Sequence, residues 1–394
     1  MIVRPGWYGW IVLSILLSPV AGQAGDEPGI HQMQVIGSHN SYHLAPHPNV
    51  PGILGARGKV VAKAIDYTHR PLVEQFSRLG IRQIELDVFA DPEGGHYARP
   101  TARKILKSFH KDAGPDPDES GRLRQPGFKV FHIQDFDYLT TVPTLLEALR
   151  QVRAWSAGHP KHVPILVLLE LKEEAIVGLP TRPRPFGKAE LDAIDAEIRS
   201  VFQPGQFLSP DEVRGGHASL LEAIKSRGGW PSLDASRGKV IFALDNEGSL
   251  RDLYLADHPT LQGRALFVSV PPDHPAAAWM KRNDPIHEFD EIQSLVKAGF
   301  LFRTRADSDT REGRENDPTR RDRALASGAH FISTDFPEAR PELSTYEVKL
   351  PGGVIARPNP VSGDPGPEAI DLEVRSSRNR MTRNANPNVI DRVR

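Results

Sequence analysis

The feature that most constrains this chain is a repeated alternation. Apolar runs of strand length return along the sequence, and stretches with helical spacing fill the gaps between them. Strands are expected at Met33–Ser38, Arg82–Phe89, Lys129–Gln134 and Pro164–Leu171. Four more are expected at Lys239–Asp245, Ala265–Val270, Phe300–Ala306 and Ala329–Asp335. Helices are expected at Pro71–Leu79, Val142–Trp155, Lys188–Phe202, Ala218–Lys225, Leu250–Leu255, Glu288–Ala298 and Arg320–Ser327. Thr141 is the expected cap of the second. Eight strands alternating with helices point to an α/β protein with a TIM-like (β/α)₈ barrel, regular or irregular. A doubly wound open sheet is the rival architecture, because the same alternation supports it.

Two stretches break the rhythm. Tyr97–Phe128 is polar, with Gly114-Pro115-Asp116-Pro117-Asp118 at its centre, and is expected as an inserted surface loop after strand two. After Leu350, Pro and Gly dominate as far as Pro367, and Arg375, Arg378, Arg380, Arg383, Arg392 and Arg394 follow against Asp391. Residues 350–394 are expected to form a disordered tail, with contact to anionic lipid headgroups as the alternative.

The N-terminus carries Arg4, a short apolar run Trp10–Leu17 and small residues Ala21-Gly22-Gln23-Ala24. That pattern reads as a signal peptide over residues 1–24, with the barrel at 25–349. The run falls short of the roughly 20 residues a spanning helix needs. A secreted, periplasmic or extracellular protein is expected. Its formal net charge of −1 gives no support for nucleic acid as a partner. With no Cys there are no disulfides, no thiolate nucleophile and no Cys-ligated metal.

Reactive residues gather where the apolar strands finish, the face at which barrel enzymes build their sites. Strand one runs into His39-Asn40-Ser41, strand two carries Glu85 and Asp87, strand three His132, and strand four Glu170 and Lys172. Glu85 and Asp87 are two apart and share one side of a strand, as do Glu170 and Lys172. Asn40, Glu85, Asp87 and Glu170 form an all-oxygen set suited to Ca²⁺, with Mg²⁺ second. His39 and His132 are left to move protons beside that cation, an arrangement for phosphodiester cleavage. Taken singly, each has a plainer reading: a salt-bridged Glu-x-Asp edge, a satisfied core histidine, turn chemistry at His39-Asn40-Ser41.

Gln34-Val35-Ile36-Gly37-Ser38-His39-Asn40-Ser41-Tyr42, Ile84-Glu85-Leu86-Asp87, Phe131-His132 and Leu168-Leu169-Glu170-Leu171-Lys172 resemble the phosphatidylinositol-specific phospholipase C family, in its secreted bacterial calcium-dependent branch. The resemblance spans about residues 30–340. It implies a TIM-like barrel that cleaves the glycerol–phosphate bond of inositol phospholipids to diacylglycerol and a cyclic or opened inositol phosphate. It also implies His39 and His132 as the catalytic pair and Asn40, Glu85, Asp87 and Glu170 as calcium ligands. Metal-independent members place an arginine where the cation would sit, and no Arg lies within the Glu85–Phe89 run. Lys172 and Arg305, at expected strand ends, are candidates for phosphate or inositol contacts. Barrel-closing ion pairs are the alternative for Arg303, Arg305, Asp307 and Asp335. The expected partner is a phospholipid membrane surface, with no obligate protein partner. Two other functions stay open: a glycerophosphodiester phosphodiesterase or phospholipase D-like lipase on the same barrel, and a non-catalytic lipid-binding module.

Overall fold

The structure is a computed structural model, and it describes residues 28–226, 229–364 and 370–374. The expected signal peptide and the Arg375–Arg394 stretch lie outside the described residues.

The described residues form ten strands: β1 Met33–Ser38, β2 Gln83–Phe89, β3 Lys129–Val130, β4 Ile165–Leu171, β5 Val240–Leu244, β6 Phe267–Val268, β7 Trp279–Lys281, β8 Leu301–Arg305, β9 Phe331–Thr334 and β10 Ala356–Pro358. The sheet order is β6-β5-β4-β2-β1-β9-β8-β7, with every neighbour on that path parallel. A single parallel bridge, Ser269 to Trp279, joins the β6 end to β7 and turns the row into a ring. The architecture is therefore the TIM-like barrel, and the open doubly wound sheet is excluded.

Parallel strands in such a ring are covered on both faces, so they read as near-continuous apolar runs. β2 and β5 are buried at every position, and β4 at all but Glu170. The helices form by the complementary rule. Leu145–Gly158 buries Leu145, Ala148, Leu149, Val152 and Trp155, the three-and-four spacing of one helix face. Its cap is Thr144, whose side chain accepts from the Glu147 backbone N–H, and not the expected Thr141.

Four expectations are corrected. Lys129–Gln134 does not supply a barrel strand: β3 is two residues long, pairs antiparallel with β2, and leaves the ring. The missing barrel strand is β7, unassigned in the sequence. The insertion is no bare surface loop, since it contains the helix Thr101–Ser108. Ala102, Leu106 and Ala113 of the insertion pack with Val50, Ile65, Phe136 and Tyr138 in a small second core. Finally, the described part of the tail is built into the fold: β10 pairs antiparallel with β1, and Leu372 is buried. Glu373 holds the buried Arg82 through Nε (2.7 Å) and Nη2 (2.5 Å).

Candidate active site

The C-terminal ends of seven barrel strands each deliver a charged or amide side chain to one mouth. β1 leads into His39 and Asn40, and β2 carries Glu85 and Asp87. β4 ends at Glu170 and Lys172, β5 runs into Asp245, β7 ends at Lys281, β8 carries Arg303 and Arg305, and β9 runs into Asp335. Asn40 adopts a left-handed backbone (φ 44°), which Asn tolerates better than most residues. That twist ends β1 and lets the amide leave the strand's alternation.

His39 sits between two carboxylates. Its Nδ1 lies 2.7 Å from Asp335 Oδ1, and its Nε2 lies 3.6 Å from Glu85 Oε1. The Asp335 contact assigns the ring proton to Nδ1 and leaves Nε2 with a lone pair. Arg305 Nη2 stands 3.3 Å from Nδ1 and 3.5 Å from Asp335 Oδ2. Burial first, then the charges of Arg305 and Arg303, hold the His39 pKa well below the usual imidazole value. The ring is thus neutral at neutral pH.

Glu85, Asp87 and Glu170 each offer an oxygen within 4.8 Å of the others. Burial pushes Glu85 and Asp87 up to about 8, against the opposing charges of Arg303 and Lys172 respectively. Arg303 Nη2 donates to Glu85 Oε2 at 2.5 Å, and Lys172 Nζ donates to Glu170 Oε1 at 3.0 Å. Lys172 Nζ also lies 3.2 Å from Asp87 Oδ2, without the alignment of a hydrogen bond. Burial works against charge on Lys172, but Asp87 and Glu170 outweigh it and raise its pKa.

These residues fit a hard cation. The donors are all oxygens. Asn40 Oδ1 is buried with no hydrogen-bond partner, and the buried Asp87 carboxylate is met only loosely, by Lys172 at 3.2 Å. Asn40 Nδ2 donates to the Tyr67 hydroxyl at 2.9 Å, which leaves its amide oxygen as the free end. Buried acceptors left unpaired are costly, by about 1–3 kcal/mol each, and a bound cation relieves that cost. Lys172 and Arg303 satisfy part of the negative charge meanwhile.

His132 is not at a strand end but in the turn after β3, where Asp137 Oδ2 lies 2.8 Å from its Nδ1. The second core holds that turn through Phe136 and Tyr138. Burial raises the Asp137 pKa, but the neighbouring His43 and His132 outweigh it and leave it lowered. On the far wall Lys281 Nζ meets Asp245 Oδ2 at 2.6 Å. The structure therefore brings His39, Asn40, Glu85, Asp87, Glu170, Lys172 and Arg305 to one mouth. The sequence reading missed Asp137, His43, Asp245 and Lys281 as parts of the surroundings. Asp245 carried the same signal as its neighbours, an acid at the end of an apolar strand.

Fold and site together place the chain among TIM-barrel enzymes with a histidine and an acidic cluster at the strand ends. Residues 29–360 match the family described as "Phosphoinositide phospholipase C, Ca2+-dependent", and the chain belongs to that family. It is accordingly a phosphatidylinositol-specific phospholipase C, an enzyme that cleaves the glycerol–phosphate bond of its lipid. Among solved structures, the chain is similar to a calcium-dependent phosphoinositol-specific phospholipase C from Pseudomonas sp. The identity is 13%, the TM-score 0.47, and the match covers 84% of this chain and 95% of that one. It is also similar to the Ca²⁺-dependent enzyme from Streptomyces antibioticus, with 19% identity, TM-score 0.45, and coverage of 79% and 95%. A glycerophosphoryl diester phosphodiesterase from Parabacteroides distasonis follows, with 11% identity, TM-score 0.30, and coverage of 80% and 86%. No curated protein matches the chain.

Proposed function

We propose that this enzyme works as a general acid–base pair flanking a calcium site, with His39 taking the proton of the inositol 2-hydroxyl and His132 giving one to the departing diacylglycerol oxygen. The carrying observation is the pairing of each histidine with its own carboxylate. Asp335 holds His39 by Nδ1, and Asp137 holds His132 by Nδ1, so each ring keeps Nε2 for the substrate. The lowered pKa of His39 suits a base that must start neutral.

Attack by the 2-hydroxyl on its own neighbouring phosphorus is intramolecular and starts with a large proximity advantage. The new P–O bond forms as the P–O bond to glycerol breaks, and the products are diacylglycerol and a cyclic inositol phosphate. Asn40, Glu85, Asp87 and Glu170 would hold the calcium, which supplies electrostatic stabilisation of the phosphate charge and eases deprotonation of the hydroxyl. Arg305, fixed beside His39 and Asp335, presents its guanidinium to a phosphoryl oxygen. Lys172, held at the mouth by Glu170, offers its ammonium to an inositol hydroxyl or phosphate oxygen.

The substrate surface is a phospholipid membrane. Large apolar side chains stand out on segments that follow the strands at the mouth: Val60 after β1, Phe109 after β2, Ile176 and the almost fully exposed Val177 after β4. No helix among the described residues is long and apolar enough to cross a membrane. Export rests on the signal pattern of residues 1–24.

A leaving-group experiment separates the two histidines. Substrates whose leaving group needs no proton, such as an aryl inositol phosphate, should restore most of the activity lost in His132→Ala and little of that lost in His39→Ala. Equal rescue of both variants would overturn the assignment.

A further inference from the structure

Tyr67 joins the site above to a second group of side chains with different chemistry. Its hydroxyl takes Asn40 Nδ2, and its backbone carbonyl lies 3.0 Å from His43 Nδ1. A carbonyl only accepts, so Nδ1 of His43 carries a proton and Nε2 is the ring nitrogen left to meet a positive species. That nitrogen lies 2.8 Å from Asp137 Oδ2, another acceptor, and His132 Nδ1 meets the same oxygen at 2.8 Å. A lone pair facing a carboxylate at this distance is repulsive unless a positive species lies between them. The remaining Asp137 oxygen, Oδ1, is buried with no hydrogen-bond partner.

We propose that His43, Asp137 and His132 form a binding site for a divalent cation of the zinc class, separate from the calcium ligands, and that occupancy shuts the enzyme off. Two imidazoles and one carboxylate are the donor set of zinc, cobalt and copper, whereas hard cations prefer oxygen alone. Each of the three side chains offers one donor atom within 4.8 Å of the other two, and His43 Nε2 and His132 Nδ1 each lie 2.8 Å from Asp137 Oδ2. Zinc–ligand bonds of about 2.0–2.2 Å put neighbouring donors roughly 3–3.5 Å apart. The two short contacts must therefore open by only a few tenths of an ångström.

The surroundings are already those of a metal-binding histidine. Donation of His43 Nδ1–H to a backbone carbonyl fixes the tautomer and aims Nε2, the usual support for such a ligand. His43 and Asp137 are fully buried, while His132 is 20% exposed. The third ligand can thus shift, and it leaves one side open for a water. A metal on His132 Nδ1 holds the lone pair that would otherwise take a proton, so the ring cannot become the imidazolium that protonates the leaving group. This inhibitory consequence rests on the role given to His132 above; the metal site itself does not.

The test uses the full chain, stripped of metal and titrated with Zn²⁺ in a calorimeter with Ca²⁺ in excess. Co²⁺ serves as the spectroscopic probe. One Zn²⁺ per chain is expected, with a visible Co²⁺ band of nitrogen-ligated geometry. His43→Gln and Asp137→Asn should each weaken binding more than about tenfold, and Glu170→Gln should leave it unchanged. Where a buried variant loses its melting transition, the part-exposed His132→Asn takes its place and should weaken binding equally. Absence of zinc binding, or binding lost in Glu170→Gln and kept in His43→Gln, would overturn the site and leave a proton between His43 and Asp137. In lipid cleavage at saturating Ca²⁺, Zn²⁺ should inhibit over the range in which it binds. Zinc bound with cleavage unchanged would overturn the inhibitory half. A chain that cleaves no inositol lipid would sink the proposed function, and the calorimetry would still decide the site.

Discussion

Single side chains carry the chemistry, and their partners decide their protonation. In the proposed mechanism, His39 serves as a base only while Asp335 keeps the proton on Nδ1. Asp335→Asn keeps the shape and removes the acceptor charge, so kcat should fall at least about a hundredfold with KM nearly unchanged. Steady-state kinetics on vesicles measures both, and a change confined to KM would contradict the assignment. The pH profile gives a second check. The folded His39 pKa is depressed, so the ring stays neutral until the pH drops below the ordinary imidazole value. With calcium high enough to keep Glu85 and Asp87, both pushed up to about 8, in their charged forms, the acid limb of kcat/KM should therefore lie below about pH 6.5, and a cation nearby pushes it the same way. An acid limb above that value would mean that a group other than His39 is the base.

Elements determine where those side chains meet, and one contact governs the meeting. β1 and β2 share the register pair Gly37–Gln83, just before His39-Asn40 on one strand and Glu85-Asp87 on the other. A Cβ at Gly37 would stand 1.9 Å from Gln83 Oε1 and 2.6 Å from Gln83 Cβ, and the latter cannot swing away. Gly37→Ala should push the strands apart and lower both the melting temperature and kcat; circular dichroism with the vesicle assay reports both. An unchanged kcat would show that the β1–β2 spacing does not set the site.

The same elements show what the sequence could tell. β1, β2 and β4 were readable to within a residue, because long apolar runs ending in Asn, Asp or Glu have few other readings. β7 escaped because Trp279–Lys281 is only three residues long and follows Pro271, Pro272 and Pro275. The Lys129–Gln134 alternation misled in the opposite sense. Beyond Val130 the chain turns, with Asp135 in a left-handed conformation (φ 68°), and tertiary packing overrides the local pattern. The pairing of His39 with Asp335, 296 residues apart in sequence, has no local signal at all.

At the scale of the whole molecule, the described residues after 349 belong to the barrel. β10 edges β1, and Glu373 neutralises Arg82, which is also stacked 4.8 Å from the Trp155 ring centroid. Breaking a buried ion pair from one side leaves an uncompensated charge and costs roughly 3–5 kcal/mol. Glu373 is itself partly accessible, so Glu373→Ala should lose the lower end of that range in urea unfolding, and a chain ended at residue 349 should lose more. Equal stability of all three would show that the segment only rests on the surface. The most direct measurement of the whole account is release of inositol phosphate from phosphatidylinositol vesicles, with calcium and with a calcium chelator. Release should stop on chelation and return when calcium is restored. Release that continues in the chelator would contradict the calcium site and assign Lys172 the cation's place among Asp87 and Glu170, while no release under either condition would contradict the proposed chemistry at His39 and His132.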